Sequence, residues 1–213
     1  SGLAAPLYAG IPVTHRDYGG SFSIVTAHDK SIDGRPSIDW EGLIRGSETI
    51  AFYMGIANLD HICENLIKHG KSPETPIILI QWGTWGRQKT VEGTLATIVD
   101  LAKKHRLLNP AITLVGEIIK TREKISWFEK KPLFGRQILL IRTGTDESDL
   151  AKDLRGQGAD VVEFPKWKGN PVSIDQEILE QIDTYERILF TSSESVQEFF
   201  EMLYENKVDV RRI

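Results

Sequence analysis

Apolar runs of strand length alternate with longer stretches whose apolar residues recur at helical spacing, and this alternation holds along most of the chain. The runs are SFSIVTA at 21–27, TIAFYM at 49–54, PIILIQW at 76–82, AITLVG at 111–116, QILLIR at 137–142, DVVEF at 160–164 and RILFTS at 187–192. Their length and their β-branched and aromatic content predict strands. Between them, Asn58 is placed to cap a helix that carries Leu59, Ile62, Leu66 and Ile67 on one face and stops at Gly70. A second helix is predicted over 94–105, with Leu95, Ile98, Val99 and Ala102 on one face and a basic last turn that suits the helix dipole. Ser173 and Gln176 have the spacing of a capping box before Ile178, Leu179 and Ile182. Strands alternating with helices in this way predict an α/β fold.

The segment WFEKKPLFGRQ at 127–137 interrupts the rhythm with a Lys pair, a Pro and a Gly. It reads as a boundary, with one domain over 1–130, a linker at 131–136 and a second domain over 137–213. The second domain is predicted as strand 137–142, helix 145–157, strand 160–164, a helix from Ser173, strand 187–192 and helix 193–204. Such a series gives a parallel, Rossmann-like sheet with ligands at the carboxyl ends of its strands, where Arg142 and the Thr191, Ser192, Ser193 turn fall. The closing KVDVRRI reads as one more strand start, and the opening SGLAAPLYAG reads like the inside of a domain. Both point to a chain cut from something longer.

Composition narrows the function classes. With 213 residues, 40% hydrophobic and 26% charged, the chain is of ordinary globular type. Its net charge of -4 is spread among interspersed signs, so no basic stripe marks it for nucleic acid. The one cysteine, Cys63, excludes a disulfide framework and a Cys-rich metal site, and fits a cytoplasmic setting. No apolar run approaches the roughly 20 residues that span a bilayer. The five histidines lack zinc-site spacing, so no metal is expected.

Four stretches carry candidate chemistry, each with a plain alternative. In GIPVTHR, Arg16 offers a planar fork for a carboxylate or phosphate, or is a surface Arg paired with Asp17. His28 closes the first long strand as a proton carrier or carboxylate donor, or is a solvated loop residue. Met54 and Gly55 follow the second strand, where a Gly permits close approach by a ligand and a core Met with a turn Gly is the alternative. The loop in IQWGTWGRQ at 80–88 has the Gly and Trp content to wrap an adenine or a flat macrocycle, or is a β-turn with aromatic packing.

In order and spacing, AAPLYAGIPVTHRDYGGSFSIVTAHD, TIAFYMGIANLDHICENLIKHG, TPIILIQWGTWGRQKTVEGTL and NPAITLVGEIIKTREKISWF resemble the second half of the uroporphyrinogen-III C-methyltransferases, of the tetrapyrrole methylase fold. The stretches ILLIRTGTDESDLAKDLRGQGADVVEFP and ILFTSSESVQEFFEML resemble the opening part of uroporphyrinogen-III synthase. The resemblance implies a methylase C-terminal lobe, a mixed sheet with helices, followed by a parallel β-α-β, flavodoxin-like synthase unit.

It also implies roles. Arg16 and His28 become candidate contacts to a macrocycle bearing carboxylates, with Ala27 standing at a usual Gly. Ser1, Met54, Gly83 and Thr84 match positions at the S-adenosylmethionine site. Arg142, Thr191, Ser192 and Ser193 match substrate contacts of the synthase, which uses no cofactor. The implied substrates are uroporphyrinogen III for C-methylation to precorrin-2, toward siroheme and cobalamin, and hydroxymethylbilane for the fused synthase. The methylase part is expected to form a homodimer, with neither nucleic acid nor membrane as partner. The family's Gly-Pro-Gly-Asp and Gly-Gly-Asp segments and the later half of the synthase are absent, so this chain alone is expected to lack full activity. The alternative is a non-catalytic dimerisation or binding module derived from a tetrapyrrole methylase.

Overall fold

Ile77, Ile78, Leu79 and Ile80 are each no more than 1% exposed, as in a strand covered on both faces. A computed structural model, which describes residues 1–28, 34–141, 148–164, 179–184, 187–190 and 193–212, builds its main sheet around this run. The chain divides into two units, Ser1–Gln137 with Leu154–Asp160, and Ile138–Asp153 with Val161–Ile213.

The first unit contains α1 (Ala4–Tyr8), β1 (Phe22–Thr26), α2 (Trp40–Gly46), β2 (Thr49–Tyr53), α3 (Leu59–Lys68), β3 (Pro76–Gln81), β4 (Lys89–Thr94), α4 (Ile98–Lys104), β5 (Ala111–Val115) and α5 (Arg122–Ile125). The sheet order is β1-β2-β5-β3-β4. β1 and β2 run parallel, while β5 runs antiparallel to both β2 and β3. The carboxyl ends of β1, β2 and β3 therefore share one edge of the sheet with the start of β5.

One face of the sheet packs Phe52, Leu79 and Val91 against Trp40 of α2, Leu59, Ile62 and Leu66 of α3, and Ile98 of α4. The other packs Ala51, Ile80 and Ile112 under Ala5 and Ile11. α3 ends as expected: Gly70 takes φ +112, and the Lys71 amide donates to the Leu66 carbonyl at 2.9 Å. Its start differs from expectation. Asn58 occupies the N-cap position but makes no side-chain cap bond. Its amide instead donates to the carbonyls of Ala27 at 2.7 Å and Gly34 at 2.8 Å, pinning the end of β1.

Three elements escaped the hydrophobic pattern. β4, of sequence KTVEGT, buries little beyond Val91, yet pairs with β3 over six positions as an edge strand. α1 and α2 are too short to develop helical periodicity. The expected helix over 94–105 begins at Ile98, because Thr94 ends β4 and Thr97 closes a turn back onto it.

Beyond residue 136 the strands β6 (Gln137–Leu140) and β7 (Asp160–Glu163) flank α6 (Asp149–Gly156), and a helix α7 (Ser193–Glu205) follows. β6 and β7 form a two-stranded sheet. The amides of Asp160 and Phe164 donate to Arg136 and Leu140, so the two strands advance together and run parallel. The third parallel strand expected at 187–192 is not formed over the described residues 187–190. KVDVRRI ends in a 3-10 turn, Val210–Arg212, rather than starting a strand. The Ser173 and Gln176 capping box lies outside the described residues.

Candidate cofactor cleft

A cleft of about 510 Å³ opens at the sheet edge where β2 and β3 end and β5 begins. It is lined by Ala5, Ile80 and Ile112, by Tyr53 and Met54 from the end of β2, by Trp82, Gly83 and Trp85 from the loop after β3, and by Ser1, Asn109 and Pro110. Among the described residues the lining contains no Asp, Glu, Lys, Arg or His side chain, so it offers aromatic surface, a few neutral polar groups and backbone.

Backbone conformation marks the same place. Met54, Trp82 and Thr84 adopt φ values of +54, +52 and +77. Left-handed backbone is uncommon outside glycine, above all at a β-branched residue such as Thr, and it gathers where a site demands it. Two of these conformations are held by hydrogen bonds from outside. The Thr84 amide donates to Gln88 Oε1 at 2.9 Å, and the Trp82 amide to the Pro110 carbonyl at 3.3 Å. Gln88, only 5% exposed, also donates to Glu129 Oε1 at 3.0 Å. Glu129 in turn accepts from Arg122.

Small residues let α1 approach. A methyl group on Gly83 would stand 2.6 Å from the Ala5 Cβ, and one on Gly2 would stand 2.9 Å from the Tyr53 hydroxyl. That hydroxyl accepts from the Gly2 amide at 2.5 Å, which seats the first residues beside Met54.

The structure thus brings Ser1, Met54 and Gly83 into one cleft, while Thr84, next to Gly83 in sequence, is not part of the lining. Arg16 and His28 are not part of the lining. Arg16 is exposed in a tight turn closed by the His15–Gly19 bridge. His28 is exposed, and its ring lies against Gly34; it shares the sheet edge with Met54 because β1 and β2 end together. Ser193 is exposed as the first residue of α7. Arg142, Thr191 and Ser192 lie outside the described residues.

Tyr53 and Asn109 were missed. Tyr53 reads as one more strand aromatic, and the one available signal for Asn109 was its Asn-Pro turn pair. Among the described residues no group of His, Cys, Asp and Glu could hold a metal ion, and no helix is long and apolar enough to cross a membrane.

A loop-walled cleft at the carboxyl ends of strands in an α/β sheet is where such folds bind small-molecule ligands. Residues 1–99 match the family of Tetrapyrrole (Corrin/Porphyrin) Methylases. Within it, the similarity is to the uroporphyrinogen-III C-methyltransferases. The chain is 52% identical to the Uroporphyrinogen-III C-methyltransferase of Bacillus subtilis (strain 168) over 213 residues, which are 100% of this chain and 44% of that protein. It is 36% identical to the Porphyrin biosynthesis protein HemD of Ruminiclostridium josui, over 99% of this chain and 42% of that one. The Siroheme synthase of Pseudomonas fluorescens (strain Pf0-1) is 48% identical over 61% of this chain and 27% of its own. The chain therefore spans less than half the length of these relatives.

Proposed function

We propose that the first unit is the C-terminal lobe of an S-adenosylmethionine-dependent methyltransferase acting on uroporphyrinogen III, on the route to siroheme and cobalamin. The observation that carries the reading is the convergence of Ser1, Met54 and Gly83, far apart in sequence, on one cleft without charged side chains, walled by left-handed backbone. Its lining suits a nucleoside with a sulfur side chain and offers no cationic side chain to pair with the carboxylates of a tetrapyrrole. Those carboxylates are assigned to His28, just past the end of β1, and to Arg16, in the turn that precedes β1; both lie outside the cleft lining.

The cofactor supplies an electrophilic methyl group. The residues of the chain bind and orient: Trp82 and Trp85 provide flat apolar surface, Tyr53 and Asn109 neutral hydrogen-bonding groups, and Met54 with Gly83 a close backbone approach. Transfer of a methyl group to an electron-rich ring carbon needs alignment and exclusion of water more than an acid or base. A described lining without carboxylate, imidazole or cationic side chains is consistent with that demand.

Residues 137–213 are read as the start of a fused uroporphyrinogen-III synthase that cyclises hydroxymethylbilane without a cofactor. The domain limits 1–130, 131–136 and 137–213 belong to this reading. That the chain has two separable parts is supported by a siroheme synthase whose similarity covers 61% of it, whereas the Bacillus and Ruminiclostridium proteins match nearly all of it; the synthase activity itself rests on the sequence resemblance alone. The lobe is assigned to a homodimer, in the cytoplasm, with neither full activity present in this chain alone.

Isothermal titration with S-adenosylhomocysteine tests the reading, on this chain and on a chain extended upstream. Binding by the extended chain, with weak or no binding by the shorter one, is expected. No binding by either returns the lobe to a non-catalytic module.

A further inference from the structure

The wall formed by Trp82 and Trp85 is held by a side chain that the methyl-transfer reading does not use. The Arg87 guanidinium carbon lies 4.1 Å from the Trp82 ring centroid and 5.0 Å from that of Trp85. The two rings are 6.4 Å apart at an interplanar angle of 69°, so one planar cation touches both. Behind it, Arg87 Nε stands 3.4 Å from Asp160 Oδ2, a carboxylate only 4% exposed. Gln137 Nε2 donates to the same oxygen at 3.3 Å. A buried carboxylate is retained only with partners, and Arg87 supplies the opposite charge.

The main chain repeats the connection. A methyl on Gly86 would come within 2.3 Å of the Asp160 nitrogen and 2.4 Å of the Ala159 carbonyl carbon. The Gly135 amide donates to the Gly86 carbonyl at 2.8 Å. Residues 82–88 are thus clamped by 135 and 158–160, all within the first unit and all downstream of the region that matches the methylase family.

We propose that Arg87 and Asp160 are positioning residues for the cofactor cleft: Asp160 fixes Arg87, and Arg87 fixes the facing Trp82 and Trp85 rings. A segment beyond the methylase-matching region thereby shapes the methyl-donor site. The ligand class rests on the reading above; the clamp itself does not. Arginine suits the task because its flat guanidinium stacks on aromatic rings while its Nε–H faces the carboxylate.

The test labels the full 213-residue chain, and its upstream-extended form, with 5-fluorotryptophan. Fluorine resonances are assigned by Trp→Phe substitutions, and S-adenosylhomocysteine is titrated into wild type, Arg87→Ala, Arg87→Lys and Asp160→Asn. Buried Trp40 reports on folding. Expected are shifted or broadened Trp82 and Trp85 resonances with Trp40 unmoved, a roughly tenfold weaker Kd for Arg87→Ala and Asp160→Asn, and a smaller loss for Arg87→Lys. Unchanged Trp82 and Trp85 resonances in Arg87→Ala overturn the clamp. If wild type binds and both variants bind within about twofold of it, the positioning role is overturned. If neither the 213-residue wild type nor its extended form binds, the methyl-donor reading fails and the ligand-free resonances alone decide the clamp. Should Asp160→Asn disturb Trp40, the clamp stands or falls on Arg87→Lys, which keeps the charge but not the stack: shifted Trp82 and Trp85 resonances uphold it, unmoved ones overturn it.

Discussion

Replacing Gly83 with Ala probes how the first helix is seated against the cleft. The new methyl would lie 2.6 Å from the Ala5 Cβ, 3.2 Å from the Ala5 Cα and 3.3 Å from Ile80 Cγ2. Carbon atoms pack best at about 3.5–4.0 Å, so the closest pair is short by about 1 Å. The loop has little freedom to retreat, because Gln88 holds the Thr84 amide and Gly86 is packed on residues 158–160. The helix must move instead, and Ser1 moves with it. Overpacking of this kind costs about 1–3 kcal/mol, offset by about 0.4–1 kcal/mol from the less flexible unfolded chain. A net loss of about 1–2 kcal/mol is expected in urea denaturation followed by circular dichroism.

Gly46→Ala in α2 is the control. Nothing lies within 4 Å of its new methyl, and helix propensity favours it by up to about 1 kcal/mol. Combining Gly83→Ala with Ala5→Gly removes the nearest contact, so the pair should deviate from additivity by about 0.5–3 kcal/mol. Stability of Gly83→Ala at or above wild type, or strict additivity with Ala5→Gly, refutes the seating described here.

Two further outcomes follow from buried polar groups. Asn58→Leu leaves the Ala27 and Gly34 carbonyls without their donor, for a loss of about 2–4 kcal/mol in the same denaturation assay; a loss under about 1 kcal/mol would mean that these carbonyls reach water. Burial, aided by the charges of Asp60 and Glu64, pushes the Cys63 thiol from its ordinary 9.0 up to about 12. Above pH 9 the unfolded chain loses the thiol proton while the folded chain keeps it, so stability is full below pH 9 and drains away toward about pH 12. Cys63→Ala should flatten that part of the unfolding free energy measured against pH, and an unchanged slope assigns it to other groups.

Much of the main sheet was legible because burial writes itself into composition. A strand covered on both faces needs consecutive apolar residues, and PIILI announces β3 without any neighbour. β4 shows the opposite case: an edge strand needs one good partner and little burial, so KTVEGT carries almost no signal and is specified by its six-residue register with β3. The expected strand at 187–192, not formed over its described residues 187–190, shows the converse weakness. An apolar run with β-branched and aromatic residues permits a strand, but a strand exists only where a partner supplies hydrogen bonds.

The cleft divides along the same line. Met54 and Gly83, which line it, were legible as residues at or just past strand ends, aided by family resemblance, whereas Thr84 came from the resemblance alone; Asn58 was legible as a helix start, but not as the donor that ties down Ala27 and Gly34.

By itself the sequence determined where strands and helices can form, which loops are rich in Gly and Trp, and to which methylase family the chain is similar. These follow from local spacing and residue type. Only the tertiary structure decided that β5 inserts between β2 and β3, that the described lining of the resulting cleft has no charged side chain, and that Asp160 stands behind Arg87. Those are choices among distant partners, made by burial and hydrogen-bond satisfaction over the whole chain, and no local pattern encodes them.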